Sequence, residues 1–191
     1  MDTTQISLLE RLRCRPDDES WRRLVDIYAP FIERWLRQKR IPQQDAEDIS
    51  QEVLTDVHRR LQEFVHSGRT GAFRRWLGLI VYHRSVDFWR KKHPDNATSL
   101  EIAELSELED PESHLSQQWD AEHDLYVMQR LLVLIEPEFT ATTWQAFRRI
   151  AILEDRAPQV ASELGLTVNA VLLAKFRVLK RLREEAAGLV N

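Results

Sequence analysis

The sequence predicts an all-α fold: two small helical domains joined by an acidic linker, the second a four-helix domain with a C-terminal helix-turn-helix. Three observations predict it. The 191 residues include only 5 glycines and few β-branched runs, which leaves little for a sheet. Apolar residues recur at three- and four-residue spacing along most of the chain, the period of a helix with one buried face. Between residues 94 and 124 there are 10 Asp+Glu and no Lys or Arg, the composition of a connector rather than of a core.

Each element has its own reason. A first short helix is expected from Thr4 to Cys14 on the spacing of Ile6, Leu8, Leu9 and Leu12. Pro16 and the run Asp17-Asp18-Glu19 favour the N-terminus of a second, longer helix, where a proline loses no hydrogen bond and carboxylates meet the positive end of the dipole. Its stripe is Trp21, Leu24, Val25, Tyr28, Phe31, Ile32, Trp35 and Leu36, with a kink expected at Pro30. Ile41-Pro42 breaks the pattern. A third helix is expected from Asp45 to Phe64 on Ile49, Val53, Leu54, Val57 and Leu61. Residues 65–71, VHSGRTG, read as a loop, and a fourth helix covers Ala72 to Lys92 before His93-Pro94. These boundaries give a first domain over 1–94, a linker over 95–118 and a second domain over 119–191. In the last, Leu125–Glu136 and Ala141–Ile152 precede the two helices of the helix-turn-helix.

Composition excludes several classes. Cys14 is the only cysteine, so neither an intrachain disulfide nor a cysteine-based zinc site can form. None of the 6 histidines stands four residues from another, and there is no glycine-rich phosphate loop or nucleophile elbow. The expectation is a protein without catalytic centre, metal or cofactor. No apolar run of membrane-spanning length and no secretory leader is present, so a cytoplasmic protein without membrane insertion is expected. The net charge of -4 conceals an asymmetry: residues 1–93 carry 18 Lys+Arg against 14 Asp+Glu, and residues 125–191 carry 9 against 7. Two mildly basic parts flank the acidic strip, which points to polyanionic partners for the ends rather than for the middle.

The stretch from Ala157 to Arg183, APQVASELGLTVNAVLLAKFRVLKRLR, carries the strongest signal. Ala161 is small where two helices must approach. Gly165 follows Leu164 where the chain must leave a helix through a left-handed conformation, and Thr167 offers a cap to the next helix. Val160, Leu164, Leu166, Val171, Ala174 and Val178 form an apolar seam. Asn169, Leu172, Lys175, Phe176 and Arg177 face outward, with Lys180, Arg181 and Arg183 beyond them. A short polar start followed by cations suits a helix that reads base edges and grips phosphates; an ordinary helical hairpin with a solvated basic end is the plainer alternative.

Two further constellations lie in the first domain. Asp45, Asp48, Glu52 and Asp56 fall near one face of the third helix, with Glu47 and Gln51 beside them. Like charges so placed repel, so the face calls for a basic partner, unless it is only a solvated surface. The fourth helix interleaves aromatics with cations: Phe73, Arg74, Arg75, Trp76, Tyr82, His83, Arg84, Phe88, Trp89, Arg90, Lys91 and Lys92. Single-stranded DNA is held by this mixture, the rings stacking on bases at about 1–3 kcal/mol each while cations track phosphates. Phe73, Leu77, Ile80 and Val81 also make a core stripe, so the aromatics are expected to divide between interior and surface.

The layout resembles the bacterial RNA polymerase sigma factors of the extracytoplasmic-function group. Residues 45–64, DAEDISQEVLTDVHRRLQEF, are similar to the group's core-polymerase-binding helix. Residues 73–92, FRRWLGLIVYHRSVDFWRKK, are similar to its promoter-melting helix, and residues 139–183 to its minus-thirty-five-reading domain. The resemblance implies that Asp45, Glu47, Asp48, Gln51, Glu52 and Asp56 contact the clamp of the largest polymerase subunit. It implies that His66, Arg69, Arg74, Trp76, His83, Arg84, Asp87, Arg90 and Lys91 handle melted minus-ten DNA, with residues 65–72 receiving a flipped base. Thr167, Asn169, Ala170, Lys175, Phe176, Arg177 and Arg181 would read the duplex at minus thirty-five, and the flap of the second subunit is a further implied contact. The acidic linker would thread toward the RNA exit path. An anti-sigma factor is one more partner that the group admits. His83, where many members carry asparagine, and Leu172-Leu173, where polar residues are commoner, depart from the pattern and bear on promoter sequence. The competing reading is a stand-alone dimeric helix-turn-helix regulator, which would need a dimer to span two half-sites.

Overall fold

Asp17 opens the longest apolar stripe of the first half by accepting the backbone N–H of Ser20 at 2.7 Å and its hydroxyl at 2.8 Å, an N-terminal cap that satisfies groups the helix itself cannot. These bonds to the charged carboxylate hold its pKa below the ordinary aspartate value. The computed structural model describes residues 7–14, 17–64, 71–94 and 100–190, and among them it is all helix and turn. The helices are α1 Leu8–Cys14, α2 Asp18–Gln38, α3 Gln43–Arg60, α4 Ala72–Lys92, α5 Leu100–Ser106, α6 His114–Ile135, α7 Ala141–Ala151, α8 Ala157–Leu164 and α9 Val168–Ala186. Short 3-10 turns cover Glu107–Glu109 and Glu136–Glu138. No helix of the described residues is long and apolar enough to cross a membrane.

The chain divides into two compact units. Among the described residues, one holds 7–127 with 187–190, the other 128–186. The first is built on α2, which is helical on both sides of the solvent-exposed Pro30. Leu24, Ile27, Tyr28, Phe31, Ile32, Trp35 and Leu36 of α2 are buried. Trp21, expected in the same stripe, is half-exposed and packs edge-on against His58 of α3 at 4.6 Å between ring centres. Leu8, Leu9 and Leu12 of α1 are buried in this unit, so the N-terminal helix is part of its core. The expected start of that helix at Thr4, and Pro16, lie outside the described residues. The third helix stops at Arg60, four residues short of its expected end.

The acidic segment is the main departure from the sequence reading. Residues 100–118, expected as a linker, form α5, a 3-10 turn and the start of α6, all within the first unit. Their leucines decide it: Leu105, Leu108 and Leu115 are buried, and burying an apolar side chain is worth about 1.5–3 kcal/mol. Lys39, just after α2, holds Glu104 at 2.8 Å, and Arg75 of α4 donates to the Glu109 carbonyl at 3.3 Å. Trp119, expected to open the second domain, is buried against Phe31 and Trp35 of α2, with ring centres 5.0 and 5.1 Å apart. Its indole N–H donates to the Arg74 carbonyl at 3.0 Å. The interval between the ring and α4 is closed by Gly78, where a Cβ would stand 3.0 Å from Trp119 Nε1.

Beside Trp119 lies a polar chain that starts from the buried His123. His123 meets the Tyr28 hydroxyl at 3.1 Å on one ring nitrogen and Asp124 at 3.0 Å on the other. Arg74 of α4 then holds Asp124 at 2.5 Å and Asp120 at 3.0 Å. Burial lowers the His123 pKa, and the hydrogen bond and charge of Asp124 only partly offset this. The histidine is therefore a neutral member of the core, oriented by a carboxylate that an arginine neutralises.

The second unit packs α7, α8 and α9 around Ala146, Val160, Ala161, Val171 and Ala174. Its sequence logic is local. Thr140 caps α7 through the Thr143 N–H at 3.2 Å. Gly165 ends α8 at φ 64° and ψ 32°. Nothing lies within 4 Å of a Cβ built there, so the backbone angle rather than space requires glycine. The Leu166 N–H closes the turn on the Ala161 carbonyl at 2.8 Å. Thr167 caps α9 by accepting the Ala170 N–H at 3.1 Å.

Candidate functional site

In the first unit the site is the surface shared by α3 and α4. Helix α3 buries Ala46, Ile49, Val53, Leu54 and Val57, which turns Glu47, Asp48, Gln51 and Glu52 outward, all exposed, with Asp45 half-exposed. Glu47 accepts from Gln43 at 3.0 Å. Asp56, grouped with these acids on spacing, is buried. Its Oδ2 accepts from Arg84 Nε at 2.8 Å and Nη2 at 2.5 Å, and Glu52 lies 3.3 Å from Arg84 Nη1. The hydrogen bond to Asp56 leads the causes that raise the Arg84 pKa. The basic partner that the acidic row calls for is, at its C-terminal end, Arg84 itself.

Helix α4 divides its polar residues three ways. Arg74 is turned to Asp120 and Asp124 of α6, and Arg84 to α3, so neither expected DNA contact is a free cation. Trp76 is half-buried on Phe64 and Phe73, at 4.9 and 5.7 Å between ring centres. His83, Asp87, Arg90 and Lys91 are exposed. Residues 76, 83 and 90 are two helical turns apart and share a face with Asp87. Leu79, half-exposed on that face, was missed by the sequence reading, although its spacing of three from Trp76 and four from His83 marks it. Lys91 and Arg84 line an open groove with Asp48, Gln51, Glu52 and Arg59. Lys92 lies over the Phe88 and Trp89 rings at 5.2 and 5.5 Å. His66 and Arg69 lie outside the described residues.

Residues 24–94 match the model of sigma-70 region 2. This match supports a sigma factor of the sigma-70 family. The matched span takes in α2 from Leu24, all of α3 and all of α4, and so contains every residue of the α3–α4 surface. The matched region supports a part in promoter-directed transcription, with core RNA polymerase and promoter DNA as partners. No curated protein matches the chain.

In the second unit, which lies outside the matched region, the candidate surface is the outer face of α9. Burial of Val171, Ala174, Val178 and Leu182 leaves Asn169, Leu172, Leu173, Phe176, Arg177, Lys180 and Arg183 exposed, with Ala170 and Lys175 half-exposed at its margins. Arg181 does not join them. It is bound to Glu138 at 2.6 and 2.9 Å and to Glu185 at 2.8 Å, which makes it a brace between α9 and the turn after α6. Arg149 braces α7 in the same way, to Asp155 at 2.7 Å and to Glu163 of α8.

Proposed function

We propose that this protein is a promoter-specificity subunit of the extracytoplasmic-function type, which recruits core RNA polymerase through α3 and handles promoter DNA through α4 and α9. The carrying observation is that one matched region holds two adjoining surfaces of different chemistry. One is an exposed acidic row, Glu47, Asp48, Gln51 and Glu52; the other is the Trp76–Leu79–His83–Asp87–Arg90 stripe. In this reading the acidic row meets basic groups on the clamp of the largest subunit. The α4 stripe, with residues 65–72, stacks and tracks the melted minus-ten strand, for which a ring, an imidazole and a cation on one face are suitable groups.

Helix α9 then enters the major groove of the minus-thirty-five duplex, with Asn169 and Lys175 near base edges and Arg177, Lys180 and Arg183 toward phosphates. The second unit also meets the flap of the second subunit, and an anti-sigma factor would compete for these same faces. Asp56, Arg74, Arg84 and Arg181 act as positioning residues in this scheme, since each is engaged inside its own unit.

The test is transcription of genomic fragments by core polymerase reconstituted with the full chain, followed by mapping of the start sites. The expected result is a set of starts, absent with core alone, that share two upstream sequence blocks. Starts without a shared motif would refute the assignment.

A further inference from the structure

The outer face of α9 is oddly apolar for a helix that meets DNA. Leu172 is 51% exposed, Leu173 42% and Phe176 59%, and Leu172 and Phe176 stand one turn apart, with Leu173 beside them. None of the three serves the core of the unit, which α9 meets through Val171, Ala174 and Val178. A cluster of exposed apolar side chains marks a surface that is covered in function. Its surroundings identify the cover. Arg177, Lys180 and Arg183 are exposed along the same helix, and Lys180 stands 3.9 Å from Glu184. Apolar groups followed at once by three cations suit a polyanion with apolar features.

Duplex DNA has one such feature in its major groove, the C5-methyl group of thymine; every other distinguishing group there is a donor or an acceptor. Leu172 and Phe176 can neither donate nor accept. Against a guanine edge they would desolvate O6 and N7 without replacing the lost hydrogen bonds, an unfavourable exchange. Against thymine they bury a methyl group.

We infer that Leu172 and Phe176 select thymine at the duplex element contacted by α9, through its 5-methyl group. The inference rests on the assignment of α9 as the duplex-reading helix and adds the base class that it reads. Asn169, one turn before Leu172 and Leu173, supplies the polar contact that fixes register.

The experiment uses holoenzyme reconstituted from core polymerase and the full chain. Tight-binding fragments are recovered from a pool of random duplexes, and each thymine of the upstream block is replaced singly by deoxyuridine, which deletes only the methyl. At least one replacement is expected to weaken binding about fourfold, the worth of one buried methyl group. Holoenzyme carrying Leu172→Ala or Phe176→Ala should lose that discrimination while its melting temperature is unchanged, since both side chains are exposed.

Uracil tolerated at every upstream position, with base-pair exchanges there still harmful, would overturn the inference and leave α9 as a reader of duplex DNA. Methyl discrimination that survives in both variants would overturn it as well and assign the apolar face to a protein partner. Recovery of fragments without any upstream block would remove the duplex-reading assignment itself, and the inference with it.

Discussion

Arg84 of α4 places two nitrogens on one oxygen of Asp56 of α3, at 2.8 and 2.5 Å. The pair joins the two helices that carry the candidate surfaces of the first unit. Asp56 is buried, and removal of one partner of a buried pair costs more than the pair itself contributes.

The first prediction concerns that pair. Asp56→Ala and Arg84→Ala should each destabilise the protein, and a double-mutant cycle in urea should give a coupling of about 1–2 kcal/mol, between the values for exposed ion pairs and for buried charged hydrogen bonds. A coupling near zero would mean that the contact is incidental.

Gly78 makes the second prediction, because two effects oppose there. Alanine is the better helix former by roughly 1 kcal/mol, but its Cβ would stand 3.0 and 3.2 Å from the indole of Trp119, a buried ring held by a hydrogen bond to α4. Overpacking costs about 1–3 kcal/mol, so Gly78→Ala should lower the melting temperature and shift the tryptophan emission. A rise in melting temperature would show that α6 yields.

His123 gives the third, through pH. Its folded pKa lies below the ordinary value of 6.5, so below that pH the unfolded chain binds a proton that the folded chain refuses. Its contribution to stability is therefore full above pH 6.5, falls as the pH drops through the folded pKa, and levels off beneath it. Replacement by Gln should flatten the slope of unfolding free energy between pH 7 and 5. An unchanged slope in His123→Gln would assign the pH dependence elsewhere.

Cations on α9 make the fourth. Arg177 is exposed, whereas Arg181 is held by Glu138 and Glu185. Arg177→Ala should weaken promoter binding, with a salt slope shallower by about one, and leave the melting temperature alone. Arg181→Ala should instead lower the melting temperature. If the two variants exchange these phenotypes, the orientation of α9 is misassigned.

Much of this was legible in the sequence. Helix α4 spans Ala72–Lys92 as its periodicity predicts, and the Gly165 turn and Thr167 cap lie where local backbone rules put them, because those rules depend only on neighbouring residues. What the sequence hid were partners distant along the chain. Arg74, Arg84 and Arg181 read as free cations, since nothing local marks Asp124, Asp56 or Glu138 as their partners. The segment from Leu100 to Gln118 read as a linker because its charge outweighed Leu105, Leu108 and Leu115, which acquire a helix face only once α2 and α4 are there to cover them.

The central claim is that the acidic row of α3 docks this chain on core polymerase. Its most direct measurement is co-elution of the full chain with sigma-free core polymerase of the source organism on a sizing column, beside the Asp48→Arg, Glu52→Arg double variant. The wild-type chain is expected to move into the polymerase peak, while the variant, with its helical content intact, stays behind. Equal co-elution of both, or failure of the folded wild-type chain to bind, would contradict it.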